Sequence, residues 1–141
     1  MQARGNSMLY IVWNDINKLG IPIIDEQHRG IVATINSFHY FIQEGHGLEA
    51  LKPTLNILEQ YTCIHFKTEE ALMKEAECPD LERHIILHDE LMKRTKEIAL
   101  EAVSHKEPEL ALVFLKKWWL SHISEEDKLY GSCLKRHLGV K

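Results

Sequence analysis

At 141 residues, 45% of them hydrophobic and 27% charged, the chain has material for one sizeable core and little for a second domain. The net charge of −4 is modest and the basic residues are scattered, which gives no basis for a nucleic-acid partner. No apolar run approaches the roughly 20 residues that cross a bilayer, and the N-terminus lacks the order of a signal peptide, so a soluble, cytoplasmic protein is expected.

Residues 1–7, MQARGNS, read as a frayed tail, and the whole stretch 1–23, punctuated by Gly20 and Pro22, reads as an extended N-terminal arm. From Ile24 the spacing of Ile24, His28, Ile31, Ile35, Phe38 and Ile42 marks one stripe of an amphipathic helix over about 24–44, stopped by EGHG. A second stripe, Leu51, Leu55, Leu58, Thr62, His65, Glu69 and Leu72, predicts a helix over about 50–76, ended by AECPD. Leu81, Ile85, His88, Met92, Thr95, Ala99 and Ala102 predict a third over about 80–103, with His84 beside the seam and SHKEP as its break. The fourth is predicted over about 109–130, through Leu112, Leu115, Trp119, His122 and Ile123, with Gly131 as its cap. Four helices joined by short loops predict an all-α fold, an antiparallel up-down-up-down four-helix bundle in a single domain spanning 1–141. Cys63, Cys78 and Cys133 are odd in number and form no CxxC, and they read as free thiols.

Histidine is over-represented, nine in the chain, and several stand where apolar residues would be expected. His28, His65, Glu69, His84, His88, His122 and Asp127 interrupt or flank the seams. In an antiparallel bundle, positions early in the first and third helices lie level with positions late in the second and fourth. All seven therefore fall at one end. Burying so many ionisable groups without a partner is costly, and a metal centre is an economical shared partner. His65/Glu69 and His84/His88 are four apart, about 6 Å along one helix face. His122 and Asp127 are five apart, so they straddle the inward direction or sit on a locally widened turn. Five imidazoles and two carboxylates exceed the four ligands of a tetrahedral zinc, and two bridged metals fit them better. Ligand type alone does not name the metal, while the bundle setting and ligand count favour iron.

The segments IDEQH (24–28), HFKTEEALM (65–73), CPDLERHIILH (78–88) and WWLSHISEEDKLY (118–130), with Trp13 and Gly20, resemble the hemerythrin family, specifically its single-domain bacterial members, from Trp13 to Tyr130. That resemblance implies two iron ions with an oxo or hydroxo bridge. His84, His88 and His122 would bind one iron and His28 and His65 the other, with Glu69 and Asp127 bridging. It further implies an open position on the two-histidine iron for dioxygen, in a pocket formed by Phe66, Trp118, Trp119 and Ile123. Trp119 stands where family members usually carry leucine, and it is expected to narrow or reshape the pocket.

His39, His46, His105 and His137 read as solvated, Glu70, Glu125 and Glu126 as exposed charge, and Asp25, Glu26 and Gln27 as helix-starting residues. Phe38, Phe41 and Leu115 read as ordinary core, and Tyr130 as core packing or a residue near the site. The expected function is reversible dioxygen binding for carriage, storage or delivery, by a monomer without catalytic residues. The alternatives are a sensor of oxygen, nitric oxide or iron acting through a separate partner, and a di-iron oxidase or peroxidase. The absence of an attached signalling module favours carriage over sensing, with dioxygen as ligand and a protein acceptor unspecified.

Overall fold

The computed structural model describes residues 9–13, 18–122 and 127–139, the side chains of residues 119–120 and 127–130 excepted. Five α-helices follow in chain order: α1 Pro22–Gln43, α2 Gly47–Glu75, α3 Leu81–His105, α4 Pro108–Ser121 and α5 Asp127–Leu138. Helix α1 begins two residues before the predicted Ile24, because Pro22 suits a first helical turn, where its missing amide has no partner to lose. Gly45, with φ +84°, turns the chain out of α1. Lys106 ends α3 in the same left-handed region, at φ 54°.

Among the described residues the predicted fourth helix falls in two spans, α4 and α5, with residues 123–126 between them outside the description. At His122 the backbone widens into a π-type turn, and α5 starts at Asp127. Gly131 lies inside α5 rather than capping its predecessor: a Cβ there would stand 3.0 Å from Leu19 Cδ1, so this glycine admits a close approach.

Helix α1 packs against α2 and α4, α2 against α3, α3 against α4, and α5 against α2. Ile31, Val32, Ile35, Phe38, Leu51, Leu58, Ala102, Leu112, Leu115 and Trp118 build one apolar cluster. Ile21, Ile24, Met73, Cys78 and Leu134 build a second. Along α1 the order is Ile24, His28, Ile31, and along α2 it is Leu58, His65, Glu69, Met73. The histidines thus form a polar layer between two apolar ones.

Two expectations need correction. Cys78 and Cys133 form a disulfide, with Cα atoms 6.1 Å apart across a sequence separation of 55. The bundle brings a loop cysteine to the last helix, a pairing no local spacing reveals. Cys63 is an exposed thiol. Phe41 is 40% exposed, and it packs edge-on against its neighbour Tyr40 rather than in the core.

Residues 9–13 are fastened to α1 by one side chain. Asn36 Oδ1 accepts hydrogen bonds from the amides of Tyr10 and Ile11 at 2.9 and 2.8 Å, and Asn36 Nδ2 donates to the Ile11 carbonyl at 2.8 Å. The Asp25 carboxylate accepts from the amides of Leu19 and Gly20 at 2.7 and 3.0 Å, which sets the chain's entry into α1.

Candidate metal centre

His28 comes from α1, His65 and Glu69 from α2, His84 and His88 from α3, and His122 from the end of α4, and all six are buried, none more than 2% exposed. The carboxylate of Glu69 lies in the middle. Its Oε2 is 3.1 Å from His65 Nε2 and 3.8 Å from His28 Nε2. Its Oε1 is 3.1 Å from His88 Nε2 and 3.7 Å from His122 Nε2. One carboxylate therefore divides the histidines into two sets, one per oxygen. His84 joins the second set, its ring 5.0 Å from that of His88 and 6.2 Å from that of His122. Ligand atoms of His28, His65 and Glu69, and again of Glu69, His84 and His88, lie within 4.8 Å of one another.

Two neighbours fix how the rings present themselves. The Thr68 hydroxyl donates to the Ile64 carbonyl at 2.9 Å, so its oxygen accepts from Gln27 Nε2 at 3.0 Å. Gln27 Oε1 consequently faces His65 Nδ1, at 2.8 Å. An amide oxygen only accepts, so the proton sits on His65 Nδ1. Glu70 Oε2 does the same for His88 Nδ1 at 2.7 Å. Nε2 of each ring then faces the Glu69 carboxylate 3.1 Å away. Two electron-rich atoms face each other at that distance only with a proton or a cation between them. Imidazole nitrogens and a carboxylate in a closed layer are a donor set for a transition metal, and an acceptor on the outer nitrogen of a metal-binding histidine fixes ring orientation and raises basicity.

Burial alone would raise the pKa of Glu69, but the positive charge of His65 and hydrogen bonds from His122, His28 and His65 outweigh it. The carboxyl is held well below its ordinary range. Glu69 is thus held in its ionised form.

An aromatic wall closes the side next to α4. Phe66 stacks on His88 with ring centroids 3.8 Å apart and meets Trp118 edge-on at 6.2 Å, while Trp118 stacks on His122 at 6.1 Å. Beyond it, a cleft of about 370 Å³ bounded by Leu87, Leu91, Arg94, Phe114 and Lys117 reaches Trp118 and His122 from the surface. On the opposite side Trp13 approaches His28 edge-on at 6.5 Å.

Six of the seven predicted ligands are therefore brought together. Asp127 opens α5, and its side chain lies outside the described residues, as do the side chains of Trp119 and Tyr130 and the whole of Ile123, Glu125 and Glu126. Phe66 and Trp118 lie against the rings of His88 and His122. Two residues were misjudged: Gln27 is more than a helix starter, and Glu70 is a bonded neighbour of His88 rather than solvated charge. A signal for both was available, since each adjoins a predicted ligand in sequence. Of the outlying histidines, His39 is half-buried and stacked on Tyr10 at 4.7 Å, and His137 Nε2 meets Glu75 Oε1 at 3.4 Å.

A helical bundle enclosing a layer of five histidines around a central glutamate is the architecture of a metal-binding four-helix-type protein. Residues 19–134 match the family described as Hemerythrin HHE cation binding domain, and the chain belongs to the hemerythrin family. It is 33% identical over 132 residues to a bacteriohemerythrin of Stenotrophomonas maltophilia, covering 93% of this chain and 86% of the relative. It is 31% identical over 133 residues to a bacteriohemerythrin of Pseudomonas aeruginosa, with the same shares covered. Among solved structures, it is similar to a crystal structure of a hemerythrin leucine-to-alanine mutant, with a TM-score of 0.76, 27% identity, and 89% and 98% of the two chains covered. Among the described residues, no helix is long and apolar enough to cross a membrane.

Proposed function

We propose that the chain binds dioxygen reversibly at a pair of iron ions, for carriage, storage or delivery, and that it is not an enzyme. The observation that carries this reading is the position of Glu69, fully buried, with one oxygen towards His28 and His65 and the other towards His88 and His122. His84, His88 and His122 would hold one iron, His28 and His65 the second, and Glu69 with Asp127 would bridge them, alongside an oxo or hydroxo bridge. Held by these residues, a ferrous pair would supply reversible electron exchange with dioxygen.

The chain's own residues make this exchange reversible by what they provide and exclude. Gln27 and Glu70 hold the rings of His65 and His88 with Nε2 inward. Phe66 and Trp118 keep bulk water from that face, so the pocket offers dioxygen an apolar wall. A ligand set rich in neutral imidazole and poor in carboxylate disfavours the more oxidising iron states that attack organic substrates. The sequence resemblance assigns Trp119 and Ile123 to the same pocket, and Trp119→Leu is expected to change the autoxidation rate several-fold, with an unchanged rate counting against a pocket role for this side chain.

The same reading takes the helices as an up-down-up-down bundle in one domain, with residues 1–23 as an arm. The ring of contacts α1–α2–α3–α4–α1 and the short loops support it. A cytoplasmic monomer handing dioxygen to a protein acceptor completes the proposal. Anaerobic titration of the ferrous protein with dioxygen tests it: a visible charge-transfer band should rise with the gas and vanish on its removal. Irreversible bleaching, or turnover of an added organic substrate, would favour an oxidase.

A further inference from the structure

The Cys78–Cys133 disulfide joins the two helical segments that carry the two acidic members of the site. Cys78 follows the end of α2, nine residues after Glu69, and its amide donates to the Met73 carbonyl at 2.9 Å. Cys133 lies on α5, six residues after Asp127, about 9 Å along a helix axis. Helix α5 packs chiefly against α2, so its position depends on the contacts and the tether that join it to that end of the bundle. Its supports include the disulfide, the buried Leu134 packed with Ile21, Ile24 and Met73, and the His137–Glu75 pair. The disulfide is the covalent member of these supports, and reducing it leaves α5 held by non-covalent contacts.

We propose that this disulfide is a redox-set clamp on the metal centre: oxidised, it holds α5 and with it Asp127 at the iron pair, and reduced, it lets α5 move and iron escape. The proposal rests on the reading of Asp127 as a ligand. Cys78 is 6% exposed and Cys133 is half-buried, so the thiolate of a dithiol reductant attacks Cys133 Sγ. Cys78 departs as a thiolate and takes a proton from water. The second thiol of the reductant then displaces Cys133, giving two protein thiols and one reductant disulfide. A hydroperoxide restores the bond, oxidising the two thiols to the disulfide while it is reduced to an alcohol and one water. Disulfides in thiol-reducing compartments are usually transient or redox-sensing.

The test uses the iron-loaded chain. Without reductant, thiol counting should find only Cys63 free, and after dithiol treatment all three cysteines; three free thiols at the outset would overturn the proposal. Reduction should speed amide hydrogen exchange across 127–138 about tenfold while α1 keeps its protection, a readout independent of iron. Ferrous iron should pass to a chelator about tenfold faster on reduction, in the unmodified chain and in Cys63→Ser alike. The double variant Cys78→Ser/Cys133→Ser should lose iron at that faster rate without reductant and show no further response to it, which also controls for metal binding by the dithiol. Unchanged exchange in 127–138 overturns the clamp itself. Faster exchange with unchanged iron release overturns the coupling and locates the failure in the Asp127 assignment.

Discussion

A hydrogen-bond acceptor on the outer nitrogen of a histidine decides which face of the ring is left to bind a cation. Gln27 performs this for His65 and Glu70 for His88, and neither role follows from helical periodicity, which reports the inward face and says little about its edges. The clustered histidines were legible because a histidine on an apolar seam breaks a pattern; Glu70 breaks none. Glu70→Ala should weaken iron binding about 10- to 100-fold in chelator competition, and Glu70→Gln less, because an amide oxygen still accepts from His88. A second expectation concerns Glu69, whose folded pKa lies below its unfolded value of about 4.3. Its ionised form contributes stability that is fully present above that unfolded value and is lost as pH falls through the lowered folded one. Denaturant unfolding of the iron-free chain should lose stability over that acidic window, and Glu69→Gln should flatten the dependence.

Three helices could be read from the sequence to within three residues at either end, because their stripes are regular and glycine, proline or a left-handed residue marks the ends. The fourth could not. An apolar stripe passes through His122 without announcing the widened turn there, and Gly131 resembles a cap while serving as a point of close approach to Leu19. The five-residue gap between His122 and Asp127 was the one local sign that the helix does not continue as a regular spiral. At this scale the fastening of residues 9–13 rests on Asn36, whose side chain makes three hydrogen bonds to that segment. Asn36→Ala leaves those backbone groups to find water or go without, costing about 1–3 kcal/mol. Thermal unfolding should show a midpoint lower by several degrees, with hydrogen exchange raised at Tyr10 and Ile11.

Across the whole molecule, polar and apolar layers alternate: an apolar cluster, the histidine layer, and a second apolar cluster held by the disulfide. The end-of-bundle argument anticipated the layer, since seam positions in alternating helices had to meet at one level. The disulfide escaped it, because its partners are 55 residues apart and one lies in a loop whose position only the fold decides. In the chain-entropy account, closing a loop of that length restricts the unfolded chain by about 4 kcal/mol. The layer's composition makes the central claim a matter of counting, since two sets of histidines on either side of Glu69 call for two cations. Anaerobic titration of the iron-free chain with ferrous iron, followed by the change in Trp fluorescence beside the site, measures it directly. The account predicts a break at two irons per chain, whereas saturation at one iron, or displacement of iron by equimolar zinc at a single site, would contradict it.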